Sequence, residues 1–389
     1  MRSEHLKRPV WAEIYLDHLA HNIKEIRKNI PDKTKICGVI KANGYGHGAI
    51  QFAEYLEQYG VDRFAVAALT EAMELRHNGC DKPILILGYT PDELVQHAIQ
   101  KDLALTIYTM EQAWIISKEA EAANKKAVIH IKLDTGMSRL GFLPSTQSLD
   151  EIEKITKLSN LEVEGIYTHF AAADDENKHE ARIQMNKYKG FCLDLESRGI
   201  QIPMKHVANS AAIIDMPETH LDMVRAGIMM YGLYPSEEVD HHQFKLKRVM
   251  ALKTRVAHVK EIEEGTGVSY GLTFRAPKKM KIATLPVGYA DGYTRMLGGK
   301  AEVMIQSKKC PVVGRICMDQ CMVDVTGLDV RRGEEVTLYA TNEADGDTVD
   351  DAARKLGTIN YEITCMVSRR VPRTYIENGE VIQYRDDLL

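Results

Sequence analysis

A lysine that ends an apolar strand and opens a glycine-rich loop is placed to attack a carbonyl carbon. Lys41 has that setting: Cys37-Gly38-Val39-Ile40 precedes it, and Lys41-Ala42-Asn43-Gly44-Tyr45-Gly46-His47-Gly48 follows. Partial burial at a strand end lowers the pKa of an ammonium and makes the free amine available for a Schiff base. Two later segments could receive an anion. Ser210, in His206-Val207-Ala208-Asn209-Ser210-Ala211-Ala212, offers a hydroxyl, and the amides of Gly227 and Ile228, in Arg225-Ala226-Gly227-Ile228, can point at a phosphate. Arg225 keeps its proton well beyond neutral pH, so it can donate to a pyridine nitrogen without protonating it. An unprotonated ring is a weaker electron sink, which disfavours side reactions. Taken singly, Lys41 reads as a surface lysine, Ser210 as a helix cap and Arg225 as an ion-pair partner. Their joint placement points to a phosphate-bearing ligand held by an amine.

The elements that must position these groups alternate along the chain. Short apolar runs at 36–40, 64–68, 84–87, 104–108, 128–133, 163–168, 205–208 and 222–224 read as strands. Amphipathic stretches such as 50–59, 71–77, 91–101 and 111–125 read as helices between them. Eight such units predict an α/β fold, a (β/α)8 TIM-type barrel over residues 12–243. The doubly wound open sheet is the alternative that periodicity leaves open. In a barrel, Lys41 lies at the C-terminal mouth of the first strand, and the loops after strands seven and eight are where phosphate is often bound. Beyond the polar stretch 236–242, strand-like runs at 252–259, 281–285, 303–305, 322–325 and 335–339 predict a mostly β C-terminal domain, formed by 1–11 plus 244–389. In the fifth barrel strand, Ile129, Ile131 and Leu133 alternate with His130, Lys132 and Asp134. The apolar face should pack on helices, which turns Lys132 into the barrel. A buried ammonium must be paired, deprotonated or modified.

Composition excludes several other classes. The 389 residues carry a net charge of −5 and no basic block, so nothing points to nucleic acid or a membrane surface. The amino-terminal residues lack the apolar core of a signal peptide, and no run approaches the roughly 18 apolar residues of a membrane span. Seven cysteines without paired spacing predict reduced thiols in a cytoplasmic protein. No metal site is expected.

Six segments, in order, resemble the alanine racemases, pyridoxal phosphate enzymes built from a barrel and a β-domain. They are Val39–Gly48, Lys132–Gly141 (Lys-Leu-Asp-Thr-Gly-Met-Ser-Arg-Leu-Gly), Thr168–Ala171, Arg225–Ile228, Val268–Gly271 and Gly314–Asp319. The resemblance covers nearly the whole chain. It implies that Lys41 carries pyridoxal 5'-phosphate and acts as a base on one face of the substrate α-carbon, with Tyr270 of the partner subunit on the other. It further implies a homodimer with shared sites and alanine as substrate. Tyr45, Ser210, Gly227, Ile228 and Tyr361 would hold the phosphate, Arg225 the ring nitrogen, and His169 would lie near the ring. Arg139, and Met318 of the partner subunit, would contact substrate, and Lys132 could carry a carbamate. An ordinary tyrosine, with a pKa of about 10, is a poor base at neutral pH. A chain Tyr270–His206–Arg225 would bring a cation's influence to it, making His206 and Arg225 part of the catalytic set.

Three other functions share some of these residues: a serine or broad-specificity racemase, a barrel-type amino-acid decarboxylase, and a non-catalytic pyridoxal phosphate carrier. The 268–271 and 314–319 segments favour the racemase over the decarboxylase. A carrier has no need of the second domain with Tyr270. A racemase with two cysteine bases does not fit, since no two cysteines have matching contexts.

Overall fold

The computed structural model describes residues 8–388; the first seven residues, where the 1–11 segment was expected to begin, and Leu389 lie outside the described residues. Of eight parallel strands, Lys35–Val39, Arg63–Val66, Ile84–Ile86, Ala104–Ile107, Ala127–Lys132, Leu161–Tyr167, Met204–His206 and Met223–Ala226, the first seven pair in chain order and the eighth pairs with the first. Two backbone hydrogen bonds span the remaining seam: Asp222 N–H to the Lys205 carbonyl at 3.1 Å and Arg225 N–H to that of Ala208 at 2.9 Å. The sheet is therefore a nearly closed barrel rather than the open doubly wound alternative. Its strands are short and almost wholly buried, as expected where helices cover one face and side chains fill the other. His130 and Lys132 point inward and are buried, while Ile129, Ile131 and Leu133 belong to the apolar core.

The stretch 91–101 is not one helix. A 3-10 turn at Asp92–Leu94 precedes a short helix, Val95–Gln100. The second domain is mostly β, with a seven-stranded and a three-stranded sheet and a two-stranded ribbon. Residues 252–259 are likewise not one strand but two, Met250–Arg255 and His258–Ile262, which join different sheets. Inside the larger sheet lies Val10–Tyr15, antiparallel to Met250–Arg255 and parallel to Arg373–Glu377. This strand runs across residue 12, so the start of the chain is woven into the sheet of its far end.

The two domains meet behind Lys41. Arg373, buried at 3% exposure, donates to the Gly46 carbonyl through Nε and Nη2 at 3.1 and 2.7 Å, and the Tyr375 hydroxyl donates to the His47 carbonyl at 3.1 Å. Gly46 has φ +84°, and a Cβ there would stand 2.1 Å from the Thr364 carbonyl oxygen. Only glycine meets both demands.

Candidate active site

The segment Lys41–Tyr45 forms one turn whose residues after the lysine are left-handed: φ is +52° at Ala42, +53° at Asn43, +59° at Gly44 and +49° at Tyr45. Three of these are not glycine, at a cost of about 1–2 kcal/mol each. Their surroundings over-determine the conformation. Glu71 accepts from Ala42 N–H at 2.6 Å and from Ala67 N–H at 2.7 Å, the Asn43 side chain accepts from Ala49 N–H at 3.0 Å, and Gly46 N–H donates to the Ala42 carbonyl at 3.0 Å. Strain held this firmly beside a reactive group marks a site built for positioning.

Lys41 opens into a cavity of about 670 Å³ at the barrel mouth, lined also by Tyr45, Lys132, Arg139, Tyr167, His169, Ser210, Arg225, Gly227, Ile228 and Tyr361. Burial, and then the positive field of Arg139, lowers the Lys41 ammonium pKa below the ordinary lysine value. The amine is thereby made easier to deprotonate. Opposite it, the Ser210 hydroxyl accepts from Gly227 N–H at 3.0 Å. A Cβ on Gly227 would approach the Tyr45 hydroxyl to 3.1 Å and Ser210 Oγ to 3.5 Å. The space that glycine leaves open is thus flanked by two hydroxyls, one of them held on the Gly227 N–H, a cradle suited to phosphate.

Arg225 is buried at 3% exposure. Nη1 donates to His206 Nδ1 at 2.9 Å and to the His206 carbonyl at 3.1 Å; Nη2 donates to the carbonyls of Thr168 and Val207 at 2.8 and 3.0 Å and faces His169 Nδ1 at 3.3 Å. Its guanidinium carbon lies 5.2 Å from the centre of the Tyr167 ring. The expected link from Tyr270 to His206 needs correction. His206 is fully buried, stacks on Tyr167 at 4.7 Å, and has both ring nitrogens engaged, Nδ1 by Arg225 and Nε2 by His130 at 2.9 Å. It has no nitrogen left for a tyrosine hydroxyl and holds Arg225 from inside the barrel. His169 is the histidine that lines the cavity; burial, then Arg225, keeps its imidazole neutral.

Lys132 is 5% exposed, and its Nζ lies 5.5 Å from the Tyr167 ring centre. Burial first, then Arg139 and Arg225, lower its pKa to about 8. Among the described residues it forms no ion pair. Asp134, two residues on, spends its carboxylate on the amides of Gly136, Ser138 and Arg139 at 3.0 Å each. Partial burial opposes ionisation there, but these amides hold the carboxyl below its usual range. The same turn aims Arg139 at the cavity.

Tyr270 and Met318 do not line this cavity. Both sit on the second domain, 64% and 52% exposed. The Tyr270 loop is nonetheless tightly held: Ser269, at φ +65°, donates its hydroxyl to the Arg315 carbonyl at 2.6 Å, and Gly271 and Leu272 have φ of +73° and +48°. Sequence reasoning missed Glu71, Tyr167 and Glu164. Glu71 carried the one available signal, a carboxylate in the first turn of a helix beside the Lys41 loop.

Fold and cavity together define a barrel whose mouth sets a desolvated amine beside a hydroxyl-lined cradle suited to an anion. Residues 14–235 match the family Alanine racemase, N-terminal domain, and residues 249–375 match Alanine racemase, C-terminal domain. The alanine racemase of Clostridium tetani is 51% identical over 383 residues, covering 97% of this chain and 98% of its own length. That of Methanococcus maripaludis is 52% identical over 369 residues, covering 95% and 99%. Among solved structures, alanine racemase of Clostridium difficile has a TM-score of 0.95 at 46% identity, covering 98% of this chain and 100% of that one. The Bacillus anthracis alanine racemase with bound L-Ala-P has a TM-score of 0.93 at 37% identity, with 98% of each chain covered. The chain belongs to the alanine racemase family.

Proposed function

We propose that this chain interconverts L- and D-alanine with pyridoxal 5'-phosphate held on Lys41, using Lys41 and Tyr270 as bases on opposite faces of the substrate α-carbon. The observation that carries the reading is the single cavity in which a desolvated lysine, a hydroxyl-and-amide cradle and a buried arginine face one another. When bound, the cofactor supplies an electron sink that acidifies the substrate α-carbon. Tyr45, Ser210, Tyr361 and the amides of Gly227 and Ile228 would hold its phosphate. Arg225 would donate to its ring nitrogen, and His169 would pack near the ring. Arg139 would take the substrate carboxylate.

Racemisation removes a proton from one face and returns one to the other. Lys41 Nζ serves the first face. The second would be served by Tyr270 of the partner subunit, entering the site in a homodimer, with a backbone contact from Met318 of the partner subunit. The exposure of both residues agrees with that arrangement. Lys132, near Arg139 and Arg225 and in no ion pair among the described residues, is suited to carbamylation: its neutral amine adds to carbon dioxide, a proton leaves, and the resulting anion pairs with Arg139.

We divide the chain into a barrel of 12–243 and a β-domain of 1–11 plus 244–389, with the strand Val10–Tyr15 of the β-domain sheet crossing the boundary at residue 12. No helix among the described residues is long and apolar enough to cross a membrane. A cytoplasmic enzyme supplying D-alanine for peptidoglycan is the setting we propose. The test is incubation with L-alanine and pyridoxal phosphate in deuterated water. Deuterium at the α-carbon with loss of optical rotation is expected; release of carbon dioxide would indicate a decarboxylase, and no reaction at full cofactor occupancy a carrier.

A further inference from the structure

We propose that Glu164 and His130 are positioning residues, which fix the tautomer of His206 and thereby hold Arg225 as a donor toward the cavity. This rests on the reading of Arg225 given above.

The argument follows the protons. A guanidinium has no acceptor, so Arg225 Nη1 must donate to His206 Nδ1 at 2.9 Å. Neutral His206 then carries its one proton on Nε2 and donates it to His130 Nδ1 at 2.9 Å. Neutral His130 in turn carries its proton on Nε2 and donates it to Glu164 Oε2 at 2.7 Å. Arg63 clamps that carboxylate through two contacts of 2.8 and 3.0 Å. Arg63 Nη1 also lies 3.3 Å from His130 Nε2, but donation there would force the His130 proton onto Nδ1 and leave His206 with no proton at all. Only one direction satisfies every member.

The environment supports neutral rings and a charged terminus. Both histidines are fully buried, and burial lowers the pKa of each. Burial opposes ionisation of Glu164, yet hydrogen bonds from His130 and Arg63 bring its carboxyl down to about 2. Room for the His130 ring is made by Gly165, where a Cβ would stand 2.4 Å from His130 Nδ1. Glu164 also lines a separate cleft with Lys35 and Asp222. A carboxylate outside the cofactor cavity thus sets the hydrogen-bonding direction of a group inside it.

The test is the imidazole nitrogen NMR spectrum of the cofactor-free full chain labelled with 15N-histidine. Wild-type His206 and His130 are expected as Nε2–H tautomers. In Glu164→Gln the amide can donate to His130 and reverse the chain, setting a His206 Nδ1–H against the Arg225 guanidinium. The His206 signals should then change, although His206 does not touch residue 164. In the loaded enzyme kcat should fall on the order of 10-fold or more, as for groups that orient a catalytic ligand, with KM little altered. Glu164→Asp should restore the wild-type tautomer and most of kcat. If Glu164→Gln does not fold, Glu164→Ala, which removes the acceptor and leaves Arg63 to donate to His130 Nε2, gives the same readout on His206. An Nδ1–H tautomer in wild type, or His206 signals and kcat unmoved by the variant, overturns the proposal. Absence of racemisation by wild type would overturn the functional reading instead, without touching the tautomers.

Discussion

The barrel mouth and the outer face of the second domain carry the two halves of the proposed chemistry, and they are built differently. At the mouth, Lys132, Ser210 and Arg225 are buried, the Lys41 turn is strained and tied by Glu71, and the cavity needs nothing more from this chain to keep its shape. On the outer face, Tyr270 and Met318 are more than half exposed, and they stand outside the cavity. Folding of one chain completes the first half only. The second half has a tightly held backbone and exposed side chains, as the proposed entry into another copy's site requires.

Four substitutions or titrations can break or sharpen this contrast. The largest effect is expected from Lys41→Ala: activity should be lost and no covalent adduct should form with pyridoxal phosphate, as read by racemisation and by reductive trapping. Tyr270→Phe comes next, keeping cofactor linkage but lowering kcat by about 10²–10⁴-fold. Because that hydroxyl is exposed, chemical denaturation should show stability within about 0.5 kcal/mol of wild type. A large stability loss would mean that Tyr270 is structural.

Gly227→Ala probes the cradle. The new methyl would stand 3.1 Å from the Tyr45 hydroxyl and 3.5 Å from Ser210 Oγ, crowding both. Overpacking of about 1–3 kcal/mol weakens cofactor affinity roughly ten-fold or more, measurable by titration of the cofactor-free chain. Unchanged affinity would remove Gly227 from the phosphate site. The smallest effect concerns Lys132. With its folded pKa near 8 and the ordinary value at 10.5, the unfolded chain binds the extra proton between those limits. Stability contributed by unmodified Lys132 therefore rises as pH climbs from about 8 to 10.5. Lys132→Met should lose that rise in denaturation curves recorded without bicarbonate.

The sequence made the barrel legible because each strand is a short apolar run and each helix has its own period. Lys132 could be turned inward by simple alternation. Val10–Tyr15 was not recognised as a strand, although Val10, Ala12 and Ile14 alternate, because its partners at Met250–Arg255 and Arg373–Glu377 lie more than two hundred residues away. The left-handed turn at Lys41 was hidden for a different reason: Ala42 and Tyr45 give no sign of positive φ, and the Glu71 contacts that enforce it are tertiary. His206 ends one barrel strand and His169 follows another, and only three-dimensional placement tells which one lines the cavity.

The account rests on Lys41 and Tyr270 acting on one substrate from two copies of the chain. Lys41→Ala and Tyr270→Phe should each be nearly inactive alone. Mixed in equal amounts and allowed to exchange subunits, they should recover roughly a quarter of wild-type activity, since half the dimers are mixed and one of the two shared sites in each is intact. If exchange is verified and no activity returns, Tyr270 does not reach across to Lys41 of another chain.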